Sequence, residues 1–177
     1  MDMIKSPTLD QIDRTRKNNF RPTVVACIIF NKKVLFAHRD KYDVWMFPQG
    51  GVDNKETVEV SLIRELKEEM GEEVVSSAYV DCSYLGQDRV EFSSAKHNVR
   101  KLFTDSGEKV DMYGKHYYIY VVNFSTSDIM SNESEFDQYA WVNYNESEEI
   151  TSQIYHKNKK KIIQKILYSL HKNDIIE

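Results

Sequence analysis

The apolar positions of this chain change their spacing along its length, and each change marks an element. Val24 to Phe30 is an unbroken apolar run, the pattern of a strand covered on both faces. Pro22 stands just ahead of it, so the first strand is expected over 23–30. Asn31-Lys32 reads as a tight turn, and 33–38 as the returning strand. A polar link over 39–43 leads to a short apolar piece, 44–47. Pro48-Gln49-Gly50-Gly51 is expected to be a loop, because glycine reaches backbone angles closed to other residues. The period then becomes helical. Residues 57–70 lack Gly and Pro, and Leu62, Ile63, Leu66 and Met70 fall on one side.

Beyond that helix, Val74, Val75, Ala78 and Val80 suggest one or two strands over 73–85, with another over 89–92. The pattern dissolves into polar residues over 93–114, which predicts a mobile excursion able to serve as a lid. His116 to Phe124 is a strong strand, 125–134 a polar loop, and Ala140-Trp141-Val142 a short strand. A small helix is expected to start at 147–150. A closing helix over 159–171 carries Ile162, Ile163, Ile166, Leu167 and Leu170 on one side, with its lysine-rich start read as solvated. Residues 1–19 are charged and weakly periodic, an extension with at most a short helix. The order predicts an α/β fold: a mixed sheet covered by helices on both faces, a three-layer α/β/α sandwich forming one domain over 20–177.

Composition narrows the class. The chain has 177 residues, 41% hydrophobic and 29% charged, as in ordinary globular proteins. Its net charge is −4, which argues against a sequence-blind nucleic-acid binder but leaves room for a site that grips only an RNA end. Cys27 and Cys82 lie in apolar runs and read as free thiols. The longest apolar run is too short to span a membrane, and the first residues do not resemble a secretory leader. A cytoplasmic protein, monomeric or weakly dimeric, is expected.

The chemistry concentrates in the run Gly50 to Gly71, GGVDNKETVEVSLIRELKEEMG. At about 100° per residue, Glu65, Glu68 and Glu69 share an arc of roughly 100° on the helix. Three crowded carboxylates call for a neutralising cation, and hard oxygen donors on a rigid helix suit Mg²⁺ or Mn²⁺. Such an ion polarises a phosphoryl oxygen and acidifies a bound water. Arg64 lies at i−4 from Glu68 and could hold that carboxylate in one rotamer. A solvated charged face is the alternative for the RELKEE run alone. Gly50, Glu56 and Gly71 at fixed distances favour the metal site.

This spacing is the Nudix box, and the chain resembles the Nudix hydrolase superfamily. Glu72 stands where the box ordinarily ends in an aliphatic residue. From about Phe20 to Leu170 it is similar to the branch of bacterial RNA pyrophosphohydrolases, also described as diadenosine polyphosphate hydrolases. Phe20-Arg21-Pro22, Trp45-Met46-Phe47-Pro48-Gln49-Gly50-Gly51, Glu135-Phe136-Asp137 and the basic closing helix carry the resemblance. It implies that Glu65, Glu68 and Glu69 hold one to three Mg²⁺ or Mn²⁺ ions, with a backbone carbonyl of Gly50 or Gly51. Glu135 would be a metal-binding or water-activating carboxylate, and Arg64 would belong to the catalytic set. Arg21 and Arg39 would face the polyphosphate or terminal base, Lys115 could meet phosphate, and Tyr155 could stack on a base. Glu56 and Gly71 would be structural.

The implied reaction removes pyrophosphate, or successive phosphates, from the 5′-triphosphate end of RNA in mRNA decay. Met46 replaces the Gln of that branch, and Gly114-Lys115-His116-Tyr117 replaces its Gly-Gln-Lys-Gln. Both changes touch substrate contacts, which keeps diadenosine polyphosphates and nucleoside triphosphates open as alternatives. A non-catalytic nucleotide-binding module is the alternative from another class.

Overall fold

The computed structural model describes residues 5–177; of the expected extension, residues 1–4 lie outside the described residues. The elements, in chain order, are α1 (Leu9–Lys17), β1 (Phe20–Phe30), β2 (Lys33–Arg39), β3 (Val44–Met46), β4 (Gln49–Gly51), α2 (Val58–Met70), α3 (Glu72–Ala78), β5 (Tyr79–Glu91), β6 (Lys101–Phe103), β7 (Lys109–Asp111), β8 (Gly114–Phe124), β9 (Gln138–Val142), α4 (Tyr144–Ser152) and α5 (Lys157–Lys172). The expected α/β class with a mixed sheet is what is seen. β6 and β7 form a separate ribbon. The chain resolves into two compact units, and β1, α2, β5 and β8 run through both.

The first unit comprises residues up to 25, 49–65 and 84–120. Here β4 pairs with the start of β1 in the register Thr23↔Gly51, Val24↔Gly50, Val25↔Gln49. The expected loop at Gln49–Gly51 is therefore a strand. Glycine in a strand marks a close approach, and here Gly50 makes room for Glu65 and Gly51 for Arg21. α1 is a true helix, capped by a Thr8–Gln11 capping box. It buries Ile12 and also Arg16, whose Nη2 donates to the carbonyls of Val52 and Asp53 at 2.8 Å each.

Within the segment 93–114, expected to be a mobile excursion, residues 101–111 fold as the β6–β7 ribbon. Its turn is pinned by Asp105, whose Oδ1 accepts from Lys55 N (3.1 Å), Asn54 Nδ2 (2.9 Å) and Arg16 Nη1 (3.2 Å). Asp105 N donates to Asp13 Oδ1 at 2.7 Å. Polar composition hid the ribbon, because hydrogen bonds rather than apolar burial hold it.

The second unit comprises 26–48, 66–83 and 121–177. β2 lies antiparallel to the end of β1 through the expected Asn31-Lys32 turn, both residues having positive φ (47° and 58°). β2 also pairs with β3 and with β9. Residues 72–78 form α3 rather than the expected strand. Val74, Val75 and Ala78 are buried on one helical face, and Glu72 and Glu73 favour the helix N-terminus. Arg89–Glu91 is the end of β5, not a strand of its own. Gly71, with φ +99°, separates α2 from α3. Glu72, the atypical end of the box, is exposed and pairs with Lys67 at 2.8 Å. α5 buries Ile162, Ile163, Ile166, Leu167 and Leu170, as its period predicts. Cys27 is buried, Cys82 half-buried, and both are free thiols. Among the described residues, no helix is long and apolar enough to cross a membrane.

Candidate active site

Within the first unit, the box begins as a knot of ion pairs around Arg64. Its Nε and Nη2 donate to the two Glu56 carboxylate oxygens at 3.1 and 2.9 Å. Nη2 also reaches Gly51 O (2.9 Å), and Nη1 reaches Glu65 Oε1 (2.8 Å). Glu56 further accepts from Ser61 Oγ and from Asp53 N. These donors, Arg64 first, hold the Glu56 carboxyl down at about 2 against the opposing effect of burial. Arg64 thus ties the box loop, Glu56 and the first face carboxylate together.

Gly50 leaves the room that Glu65 occupies, since a Cβ there would overlap its carboxyl group. A Cβ on Gly51 would likewise overlap the Arg21 guanidinium. Arg21 therefore lies against the backbone of the box loop. Lys115 is half-buried on β8 in the same unit.

Within the second unit, Glu69 is only 6% exposed, and its charge is met by Arg39. Arg39 Nη2 lies 2.7 Å from Glu69 Oε1 and 2.7 Å from Glu135 Oε2, so one guanidinium bridges both carboxylates. Phe136 packs beneath it, with the guanidinium carbon 4.9 Å from the ring centre. Among the described residues, the buried Arg39 Nε has no hydrogen-bond partner. Two hydrogen bonds place Glu135: its backbone N–H donates to Glu69 O at 2.8 Å, and the Ser134 side-chain Oγ donates to the same carbonyl at 3.2 Å. The loop is thereby stitched onto the last turn of α2, an end rich in open carbonyls.

Two neighbours escaped the sequence reading. Lys159, read as part of a solvated helix start, is half-buried. Burial pushes its ammonium pKa down, the charge of Arg39 adds to that, and Glu69 opposes it. Its position four residues before Ile163, on the apolar stripe of α5, was the available signal. Tyr139 is the other: its hydroxyl shares a 2.7 Å hydrogen bond with Ser134 Oγ, and burial raises its pKa, with Glu69 contributing. Glu68 is solvent-exposed on α2. Tyr155 is 65% exposed just ahead of α5, its ring 4.3 Å from that of His156.

Among the described residues, no three carboxylate, imidazole or thiolate groups converge on one point. The donor chemistry nonetheless suits a hard divalent cation. The Glu69–Glu135 pair is already built around a positive charge, and Gly50 is shaped to seat Glu65.

The NUDIX domain family model matches residues 20–166. The chain belongs to the Nudix family. An RNA pyrophosphohydrolase of Campylobacter jejuni is 33% identical over 132 residues, 71% of this chain and 79% of the relative. One from Nitratiruptor is 30% identical over 134 residues, covering 72% and 81%. Among solved structures, the E. coli dihydroneopterin triphosphate pyrophosphohydrolase superposes with a TM-score of 0.54 at 19% identity, over 84% of this chain and 97% of that one. This last likeness establishes the Nudix fold alone. The chain is thus a Nudix hydrolase, of a family whose members act on phosphoanhydride bonds and use divalent metals.

Proposed function

We propose that this Nudix hydrolase removes pyrophosphate, or successive phosphates, from the 5′-triphosphate end of RNA and leaves a 5′-monophosphate. The observation that carries the reading is the Arg39 guanidinium held between Glu69 and Glu135. It brings a phosphate-matching fork to the carboxylates of the box helix. The relatives named RNA pyrophosphohydrolase support the choice of substrate.

Glu65, Glu68, Glu69 and Glu135 would hold Mg²⁺ or Mn²⁺, with a carbonyl of the Gly50–Gly51 pair as a further donor. When bound, such an ion polarises phosphoryl oxygens and lowers the pKa of water. The protein's own groups do the rest. Arg64 sets the orientation of Glu65 through its 2.8 Å bond. Glu135, the more open of the two carboxylates that Arg39 bridges, accepts the one proton that the attacking water gives up. Arg39 releases its carboxylates to grip phosphate oxygens, and Arg21 and Lys115 are the further cations that the resemblance assigns to the triphosphate. Tyr155 offers an exposed ring to the first base.

Incubation with 5′-triphosphate RNA and Mg²⁺ tests the reading. Conversion to 5′-monophosphate RNA is expected; no conversion under conditions where a dinucleotide is cleaved would overturn it. Met46, which offers no strong hydrogen bond where the branch has Gln, favours a second reading: diadenosine polyphosphates or nucleoside triphosphates as substrates. Rates compared side by side decide between them.

A further inference from the structure

The first unit holds a cavity of about 520 Å³ that no box residue lines. Its volume falls in the range of small-ligand sites. α1 and the segment before it form one wall, and the start of β1, β5 and β8 form the remainder.

The charge of the cavity is one-sided. Lys5, Arg14 and Arg89 line it, and among the described residues no carboxylate does. The chain as a whole has 28 acidic against 24 basic residues, so this wall departs from the average in sign. Among the described residues, none of the three cations is held in an ion pair, and all three are exposed. They are therefore available to an anion.

The lining is also aromatic. Phe20, Tyr84 and Tyr118 contribute rings. Arg89 already lies over Phe20, with its guanidinium carbon 5.3 Å from the ring centre. This lining is fixed in place: Tyr118 shares a 2.8 Å hydrogen bond with Thr15, and His116 Nε2 lies 3.0 Å from Gln87 Oε1. Burial first, then Arg89, pushes the His116 pKa down, against the opposing charge of Asp88. At Gly86, mid-strand, a Cβ would meet nothing within 4 Å, which leaves the backbone bare beneath open space. A planar ring can rest on such a surface.

We infer that this cavity binds a nucleotide, taking a phosphate on the Lys5–Arg14–Arg89 rim and a base against Phe20, Tyr84 and the Gly86 backbone. Aromatic stacking and guanidinium–phosphate contact are the pairing that recognises single-stranded nucleic acid. The cavity is also tied to the box. Arg16, on the helix that walls it, holds the Val52 and Asp53 carbonyls, and Arg21, the neighbour of Phe20, lies against Gly51. The nucleotide can come from the body of an RNA, a reading that rests on the proposed function, or from the free pool.

The test measures binding apart from catalysis. A fluorescent single-stranded RNA with a 5′-hydroxyl end is titrated with the full-length protein in EDTA, with AMP as competitor. Wild type and Glu69→Gln bind it alike. The Arg14→Glu/Arg89→Glu pair weakens binding about tenfold or more, as lost phosphate contacts require. A charge-matched control on α5, Lys161→Glu/Lys172→Glu, keeps most of the affinity. All four target side chains are exposed, and circular dichroism melts verify that the variants fold.

Competition by AMP identifies a mononucleotide as sufficient. RNA binding that AMP leaves untouched, yet the rim pair abolishes, identifies the RNA body; either result supports the site. Equal affinity in the rim variant, equal loss in the control, or no binding by wild type overturns it. Conversion of triphosphate RNA is read separately. Its failure with RNA binding intact removes the proposed function alone, and the reverse removes the cavity alone.

Discussion

The Arg39 guanidinium and the Glu69 carboxylate form a largely buried ion pair, 2.7 Å from Nη2 to Oε1, and Glu135 shares the same nitrogen. Without Arg39, Glu69 would be a buried charge lacking this neutralising partner. Arg39→Ala is therefore expected to destabilise the metal-free protein by on the order of 2 kcal/mol, less than a fully enclosed pair because Glu135 is open to water. Added Mg²⁺ should raise the melting temperature of this variant more than that of wild type, since the ion supplies the missing charge. Thermal melts with and without Mg²⁺ check this; equal gains would separate Arg39 from the metal site.

Glu69→Gln removes a proposed metal ligand while keeping its size. A fall of about a hundredfold or more in kcat is expected, with the fold intact. Product analysis on triphosphate RNA provides the measurement. Unchanged turnover would show that the metal face has been assigned wrongly, and would revive the non-catalytic binding module.

Gly50→Ala places a methyl group where the Glu65 carboxyl now sits. Glu65 must move, so both Mg²⁺ affinity and kcat/KM should fall, each by about tenfold or more. Calorimetric Mg²⁺ titration beside kinetics is the check. Retention of both would mean that the cradle is incidental.

Glu56 carries the pH dependence. Its carboxyl is held at about 2, below the ordinary carboxylate value of 4.5, because Arg64 first and then Ser61 hold the charged form. A depressed carboxylate contributes stability that is complete above the unfolded value and lost as pH falls towards the folded one. Wild type should thus lose part of its stability between about pH 4.5 and pH 2. Glu56→Gln should be less stable at pH 7 and lose less over that window. Melting temperatures across the range decide it.

Lys159 is expected to trade stability for substrate binding. Its pKa is lowered, so the folded state disfavours the ammonium, a cost present at neutral pH and relieved at high pH. Lys159→Met should raise the melting temperature of the free protein by about 2 °C. It should also raise KM for a triphosphate, if the ammonium helps to collect phosphate. A lower melting temperature would place Lys159 in a structural ion pair instead.

The box helix was legible because helical periodicity is local. Three carboxylates on one arc and four apolar residues on the adjacent face follow from positions 62 to 70 alone. The same locality explains the errors. Val74 and Val75 favour a strand at α3, whereas the turn at Gly71 and burial of Ala78 favour the helix. The ribbon over 101–111 was invisible because Asp105, its anchor, looks like any polar loop residue until Arg16 and Asn54 meet it.

The Nudix box, its carboxylate face and the α/β class are written in spacings of a few residues. What the face works with is set by packing. Arg39 reaches Glu69 across thirty positions, and backbone hydrogen bonds carry Glu135 to the same helix end. Lys159 comes to the site because α5 buries the stripe on which it lies. Side chains far apart in the chain are brought together by packing, and no local pattern encodes that distance.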